Sequence, residues 1–182
     1  PKIDVVKAIG DETKKRGLKF MATFHHGFHN MFYAKQENTF LRPVSKYAII
    51  QDSVLVPQDE KYRKLYCNMD YDEANDLWLA KLNEVINAHC PDYIWMDFGQ
   101  RFIKESYRRK FLANYFNKAE KENKEVVVNT KGDFFPTDLS VVNVERATME
   151  DITEEVWITD FILGSAWCFD KNKRTAIDSK KA

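Results

Sequence analysis

The chain has no excess of charge of either sign: 28 Lys and Arg residues face 28 Asp and Glu, and the formal net charge is zero with the four histidines neutral. A surface built for a polyanion carries a basic excess, so this balance argues against nucleic acid as a partner. Long apolar runs are missing too. The longest, VVVN at 126–129 and FILGSAW at 161–167, fall far short of the ~20 residues of a membrane helix, and no membrane partner is expected. Cysteine is scarce: Cys67, Cys90 and Cys168 stand far apart with no C-x-x-C pair, and an odd number cannot pair fully into disulfides. No phosphate loop of the GxGxxG or GxxxxGK[ST] type occurs, which removes the usual support for a nucleotide-binding fold. There is no internal repeat, low-complexity tract or Gly/Ser linker, so one domain over 1–182 is the simplest reading. The first residues show no charged n-region followed by an apolar h-region. Opening on Pro1 and closing on the polar stretch KNKRTAIDSKKA, the sequence reads as a piece of a longer chain.

What is present is ample core material: 44% of the 182 residues are hydrophobic and 14% aromatic. Residues 4–16 place Val5, Val6, Ile9 and Thr13 at helical spacing and end in basic residues and Gly17, a helix stop. A buried strand is expected at 18–24, ending in His25 and His26. Residues 30–70 form a long aromatic insertion of the kind that often faces substrate. Asp70 or Asp72 can cap a helix on which Trp78, Leu82, Val85, Ile86 and His89 share a face. Pro91 and Asp92 then turn the chain into a strand, Tyr93 to Met96, that delivers Asp97 to its C-terminal end. A further helix carries Phe111, Leu112, Tyr115, Phe116 and Ala119 on one side. Strands are expected at 125–129, 140–144 and 156–159.

Helices alternating with strands are the grammar of parallel α/β folds, because parallel strands need a crossover. His25, His26, Asp97, Thr130, Lys131, Glu145 and Asp160 all follow apolar strands. In a (β/α)8 barrel that is the C-terminal face, where active sites are built. About five strands are legible where a full barrel has eight, so a barrel reading implies an incomplete one.

An ionised carboxylate at the end of an apolar strand is costly unless paired or used. Asp97 is such a group, either a site residue or a cap for the following helix. Glu145 is the second strand-end carboxylate. Two carboxylates on neighbouring barrel strands are the equipment of retaining glycosidases, while a salt bridge from Glu145 to Arg146 or Lys131 is the structural alternative. His25, His26 and His29 lack metal-ligand spacing, and a histidine donating to a sugar hydroxyl suits a strand end better. Trp95 and Trp157 read as core, whereas Trp167, in a loop context, suits the apolar wall of a ligand site.

The stretches KKRGLKFMATFHH, CPDYIWMDFGQ, SVVNVERATMEDI and VWITDFILGSAWCFDKN resemble, in that order, successive segments of glycoside hydrolase family 29, the α-L-fucosidases. The resemblance covers most of 4–172 apart from the insertion. It implies a (β/α)8 TIM-barrel-like catalytic domain and retaining hydrolysis of terminal α-L-fucose from oligosaccharides or glycoconjugates, with no metal and no cofactor. It implies secreted, periplasmic or lysosomal action. Carried over by position, Asp97 matches the nucleophile of the family's Trp-Phe-Asp motif and Glu145 the Glu of its Asp-x-Glu-Arg-Gly-like segment, the acid/base. His25 resembles the strand-end histidine that contacts the sugar, with His26 as the register alternative. Lys131 falls near a position often held by Arg, and Trp167 resembles the aromatic near the fucose methyl group. The sequence departs from the pattern in lacking the upstream His-His-Asp-Gly-Phe segment. Asn143 stands for Asp, Ala147 for Gly, and Cys168-Phe169 for Gly-Tyr. A barrel that binds carbohydrate without cleaving it, or a barrel glycosidase for another sugar, is the alternative expectation.

Overall fold

The computed structural model describes residues 3–27, 60–66, 69–132, 134–145, 149 and 151–160. Most of the 30–70 insertion, and Trp167, lie outside the described residues. In chain order the elements are α1 (Val5–Lys15), β1 (Met21–Phe24), α2 (Tyr71–His89), β2 (Tyr93–Met96), α3 (Glu105–Lys121), β3 (Val127–Lys131), β4 (Val141–Glu145) and β5 (Trp157–Asp160), with short helical turns at Glu60–Tyr62, Arg63–Tyr66 and Gln100–Phe102. Among the described residues five strands form one sheet, all parallel, in the order β1-β2-β3-β4-β5. The fold is therefore mixed α/β with a parallel sheet, as the alternation of elements demands. The described residues do not make a complete eight-stranded barrel.

The chain divides into two compact units, Pro1–Val128 and Asn129–Ala182, and the division falls within β3. In the first unit α1 starts at Asp4, whose carboxylate accepts from the Lys7 amide at 2.9 Å, and stops before Gly17, which takes φ +70° at no steric cost. The apolar residues Val5, Val6 and Ile9 remain exposed. The buried residue of α1 is Gly10, where a Cβ would stand 3.3 Å from the Phe20 ring.

The core belongs to α2, α3 and β2. Trp78, Leu82 and Ile86 of α2 and Phe111, Leu112, Tyr115 and Ala119 of α3 are buried, which are the faces their spacing predicts. The Trp78 and Phe111 rings meet edge-on at 5.9 Å, and Tyr115 donates to the Pro91 carbonyl at 2.8 Å, tying α3 to the foot of β2. In β2 burial alternates: Ile94 and Met96 are fully buried, while Tyr93 and Trp95 are partly exposed. Period-two alternation puts Trp95 on the same face as Asp97. Trp95 is thus not a core residue, because the core takes the opposite face of this strand.

Asp92, 12% exposed, fixes the start of three strands. Its carboxylate accepts from the Phe20 amide at 2.8 Å and lies 3.2 Å from Lys124 Nζ. Its own amide donates to Phe20 O at 2.8 Å, and its carbonyl accepts from Val127 at 2.9 Å. Burial works against the charge, but the Phe20 amide and Lys124 outweigh it and hold this carboxyl below its ordinary range. The Phe20 amide is taken by a side chain instead of a ladder carbonyl, which is why β1 begins at Met21 and not at Leu18. β3 opens at Val127, one residue into its apolar run, where the Val127 amide meets the Asp92 carbonyl.

Asp92→Ala should lower stability at neutral pH by about 1.5–3 kcal/mol, the worth of a hydrogen bond to a charged group. A carboxyl depressed in the folded state stabilises fully above its unfolded value, near pH 4, and loses that contribution as pH falls through the folded value. Urea unfolding across pH should therefore show the wild-type advantage shrinking below about pH 4.

Candidate active site

Two groups of polar side chains stand at the C-terminal ends of the strands, one in each unit. In the first, the Asp97 amide donates to Phe24 O at 3.0 Å, which extends the β1–β2 pairing and sets His25 level with Asp97. His25 Nε2 lies 2.9 Å from Asp97 Oδ2. The histidine is 59% exposed and the aspartate 13%, so the imidazole forms the solvent side of a carboxylate that is otherwise sunk. The Trp95 ring lies 5.9 Å from that of His25, on the strand face that Asp97 shares. Behind them the backbones following β1 and β2 close up. A Cβ on Gly27 would come within 3.1 Å of Phe98 O and 3.3 Å of the Gly99 carbonyl carbon, an approach that glycine permits. Gly99 itself takes φ +99° and turns the chain into the helical turn at Gln100–Phe102.

His26 faces the other way. Its Nε2 is 3.1 Å from the Trp78 carbonyl, and its ring packs against those of Trp78 and Phe24. Alternation along the strand separates the two histidines: His25 stands with Asp97, and His26 with α2.

The second group comes from β3, β4 and β5. Register pairs Lys131 with Asn143 and Glu145 with Asp160, so Lys131, Asn143, Glu145 and Asp160 share one face of the sheet. Lys131, 5% exposed, extends its ammonium between the two carboxylates, in contact with Glu145 Oε2 and 3.2 Å from Asp160 Oδ2. Asn129 and Asn143 are buried on the same face. An ammonium this deep must be paired, and the two carboxylates do so. Gly132, at φ +89°, ends β3 directly after Lys131, and Thr130 Oγ1 closes the turn by donating to Gly132 O at 2.8 Å.

The α-L-fucosidase family model matches residues 1–182, the whole chain. The chain belongs to the α-L-fucosidase family. That family, glycoside hydrolase family 29, is one of glycosidases, and glycoside hydrolysis commonly uses a pair of carboxyl groups. No curated protein matches the chain. Among the fucosidase-type positions, the structure brings His25 to Asp97 and Lys131 to Glu145, leaves His26 packed on Trp78, and does not describe Trp167. The ion pair between Lys131 and Glu145, one of the two readings open for that glutamate, is present. Asp160 was legible as a strand-end carboxylate, but its place beside Lys131 comes from the β4–β5 register. Among the described residues no three His, Cys, Asp or Glu side chains are arranged to hold a metal ion, and no helix is long and apolar enough to cross a membrane.

Removing the cation from the second group should expose its importance. Lys131→Met leaves Glu145 and Asp160 facing each other in one register. The expected loss is about 1–3 kcal/mol, below the ~3–5 kcal/mol of a fully buried pair because both carboxylates keep some solvent. Lys131→Met/Glu145→Gln should recover part of it in denaturant unfolding, a non-additivity that independent sites do not show.

Proposed function

We propose that the protein is a retaining exo-α-L-fucosidase whose nucleophile is Asp97 and whose acid/base is Glu145. The observation that carries this reading is the Asp97 carboxylate, held at the end of a buried parallel strand against His25, in a chain of the α-L-fucosidase family. Asp97 attacks the anomeric carbon of a terminal fucose as Glu145 gives its proton to the departing glycosidic oxygen, leaving a fucosyl ester on Asp97. Water then attacks the anomeric carbon as its proton passes to Glu145, the bond from that carbon to the Asp97 oxygen breaks, and fucose leaves with Asp97 restored as carboxylate.

Each neighbour has a part in this scheme. His25 keeps Asp97 from rotating and offers its ring to a sugar hydroxyl. Trp95 presents an aromatic face beside the pair, suited to the apolar side of a sugar ring. Lys131 supplies positive charge next to Glu145 when that group becomes a carboxylate. The sheet is read as part of a (β/α)8 barrel, whose C-terminal strand ends hold the catalytic residues. The substrates are fucosylated oligosaccharides or glycoconjugates, and no metal or cofactor takes part.

Asp97→Ala in the intact protein should cut turnover of an aryl α-L-fucoside by at least about a thousandfold while leaving the far-UV circular dichroism unchanged, since the lost group is the attacking one. Activity within tenfold of wild type would remove Asp97 from the reaction. Fucose binding retained without any hydrolysis by the wild-type protein would instead indicate a carbohydrate-binding barrel.

A further inference from the structure

Lys131 touches two carboxylates where the scheme above gives work to only one. A general acid must hold its proton when the substrate arrives, yet a carboxyl group in contact with an ammonium is favoured as carboxylate. If Glu145 were the sole counterion of Lys131, protonating it would leave a 5% exposed ammonium buried and unpaired, which is strongly unfavourable. Asp160 removes that conflict. It stands opposite Glu145 in the β4–β5 register, 3.2 Å from the lysine nitrogen, on the same face of the sheet.

We propose that Asp160 is a positioning residue, the permanent counterion of Lys131, which leaves Glu145 able to cycle between carboxyl and carboxylate. The proposal rests on the assignment of Glu145 as acid/base. With Glu145 protonated, Lys131 and Asp160 form a neutral pair beside a neutral carboxyl. When the proton goes to the leaving oxygen, the new carboxylate finds the ammonium already in place, and when water gives its proton back the neutral state returns. Asp160 exchanges no proton in either step. Among the described residues, Lys131 on β3 and Asp160 on β5 are charged groups that face Glu145.

The test is the pH dependence of kcat/KM in the intact protein, measured on two α-L-fucosides: one with a good leaving group such as dinitrophenol, and one with a poor leaving group such as an alkyl alcohol. In Asp160→Asn the ammonium loses this counterion and its remaining contact with Glu145 favours the carboxylate form. The upper limb of the profile should move down by about one pH unit or more, and the rate on the poor leaving group should fall at least about tenfold further than on the good one. Asp160→Glu, which keeps the counterion, should leave the limb near its wild-type position. An unmoved limb with equal losses on both substrates would overturn the proposal and leave Asp160 as a packing residue.

If Asp160→Asn does not fold, Lys131→Met/Asp160→Leu removes cation and counterion together. The limb should then rise above wild type, and no movement would count against the proposal. Glu145→Gln, measured alongside, separates this inference from its premise. A selective loss on the poor leaving group there, with an unmoved limb in Asp160→Asn, overturns only the role of Asp160. Equal losses in Glu145→Gln overturn the acid/base assignment and this inference with it.

Discussion

Asp92 is a carboxylate that the fold places at the foot of β2, away from solvent, and much of the first unit is levelled by it. Its side chain takes the Phe20 amide, its amide gives to the Phe20 carbonyl, and its own carbonyl receives Val127. Three strands therefore begin at one height. Strands that begin level and run parallel for equal lengths end level, and so Phe24 reaches Met96 in register and the next residues, His25 and Asp97, meet at 2.9 Å. The charge that makes this possible is sustained by Lys124 and by the Phe20 amide against the cost of burial. A buried ion held by hydrogen bonds on several sides gives position more than stability, and here the position it gives is that of His25 beside Asp97.

Alternation does the rest. In the first unit β2 buries Ile94 and Met96 and leaves Trp95 and Asp97 on the other face. His25 and Asp97 go with Trp95, while His26 and Met96 go with Trp78 and the aromatic core. In the second unit the polar face is more crowded, with Asn129, Lys131, Asn143, Glu145 and Asp160 on three strands. Burying so many polar groups is costly unless they satisfy one another. The lysine between two carboxylates meets part of that need.

Much of this architecture was readable in the sequence because the signals were local. The run Tyr93 to Met96 between a Pro-Asp turn and a polar residue marks β2 with its observed bounds, and the helical spacing of Trp78, Leu82 and Ile86 marks the inward face of α2. Less local features were not readable. β3 starts at Val127 and not at the expected 125, since its first hydrogen bond goes to Asp92, far away in sequence. Lys131 thereby falls inside the strand and not after it, and its side chain turns to the polar face. Likewise the choice between His25 and His26 depends on which face of β1 meets the helices, and the pairing of Glu145 with Asp160 depends on register. Val5, Val6 and Ile9 show the limit of periodicity: they make an apolar stripe, but spacing does not say whether anything covers it.

The central claim is that Asp97 forms a covalent bond to fucose, and peptide mass spectrometry tests it most directly. The intact protein would be exposed to a 2-deoxy-2-fluoro-α-L-fucosyl donor with a good leaving group, which slows release of the glycosyl ester, and then digested at low pH. The account predicts one fluorofucosyl adduct, on the peptide containing Trp95, Met96 and Asp97 and located at Asp97. An adduct on a different carboxylate, or fucoside hydrolysis with no adduct formed at all, would contradict it.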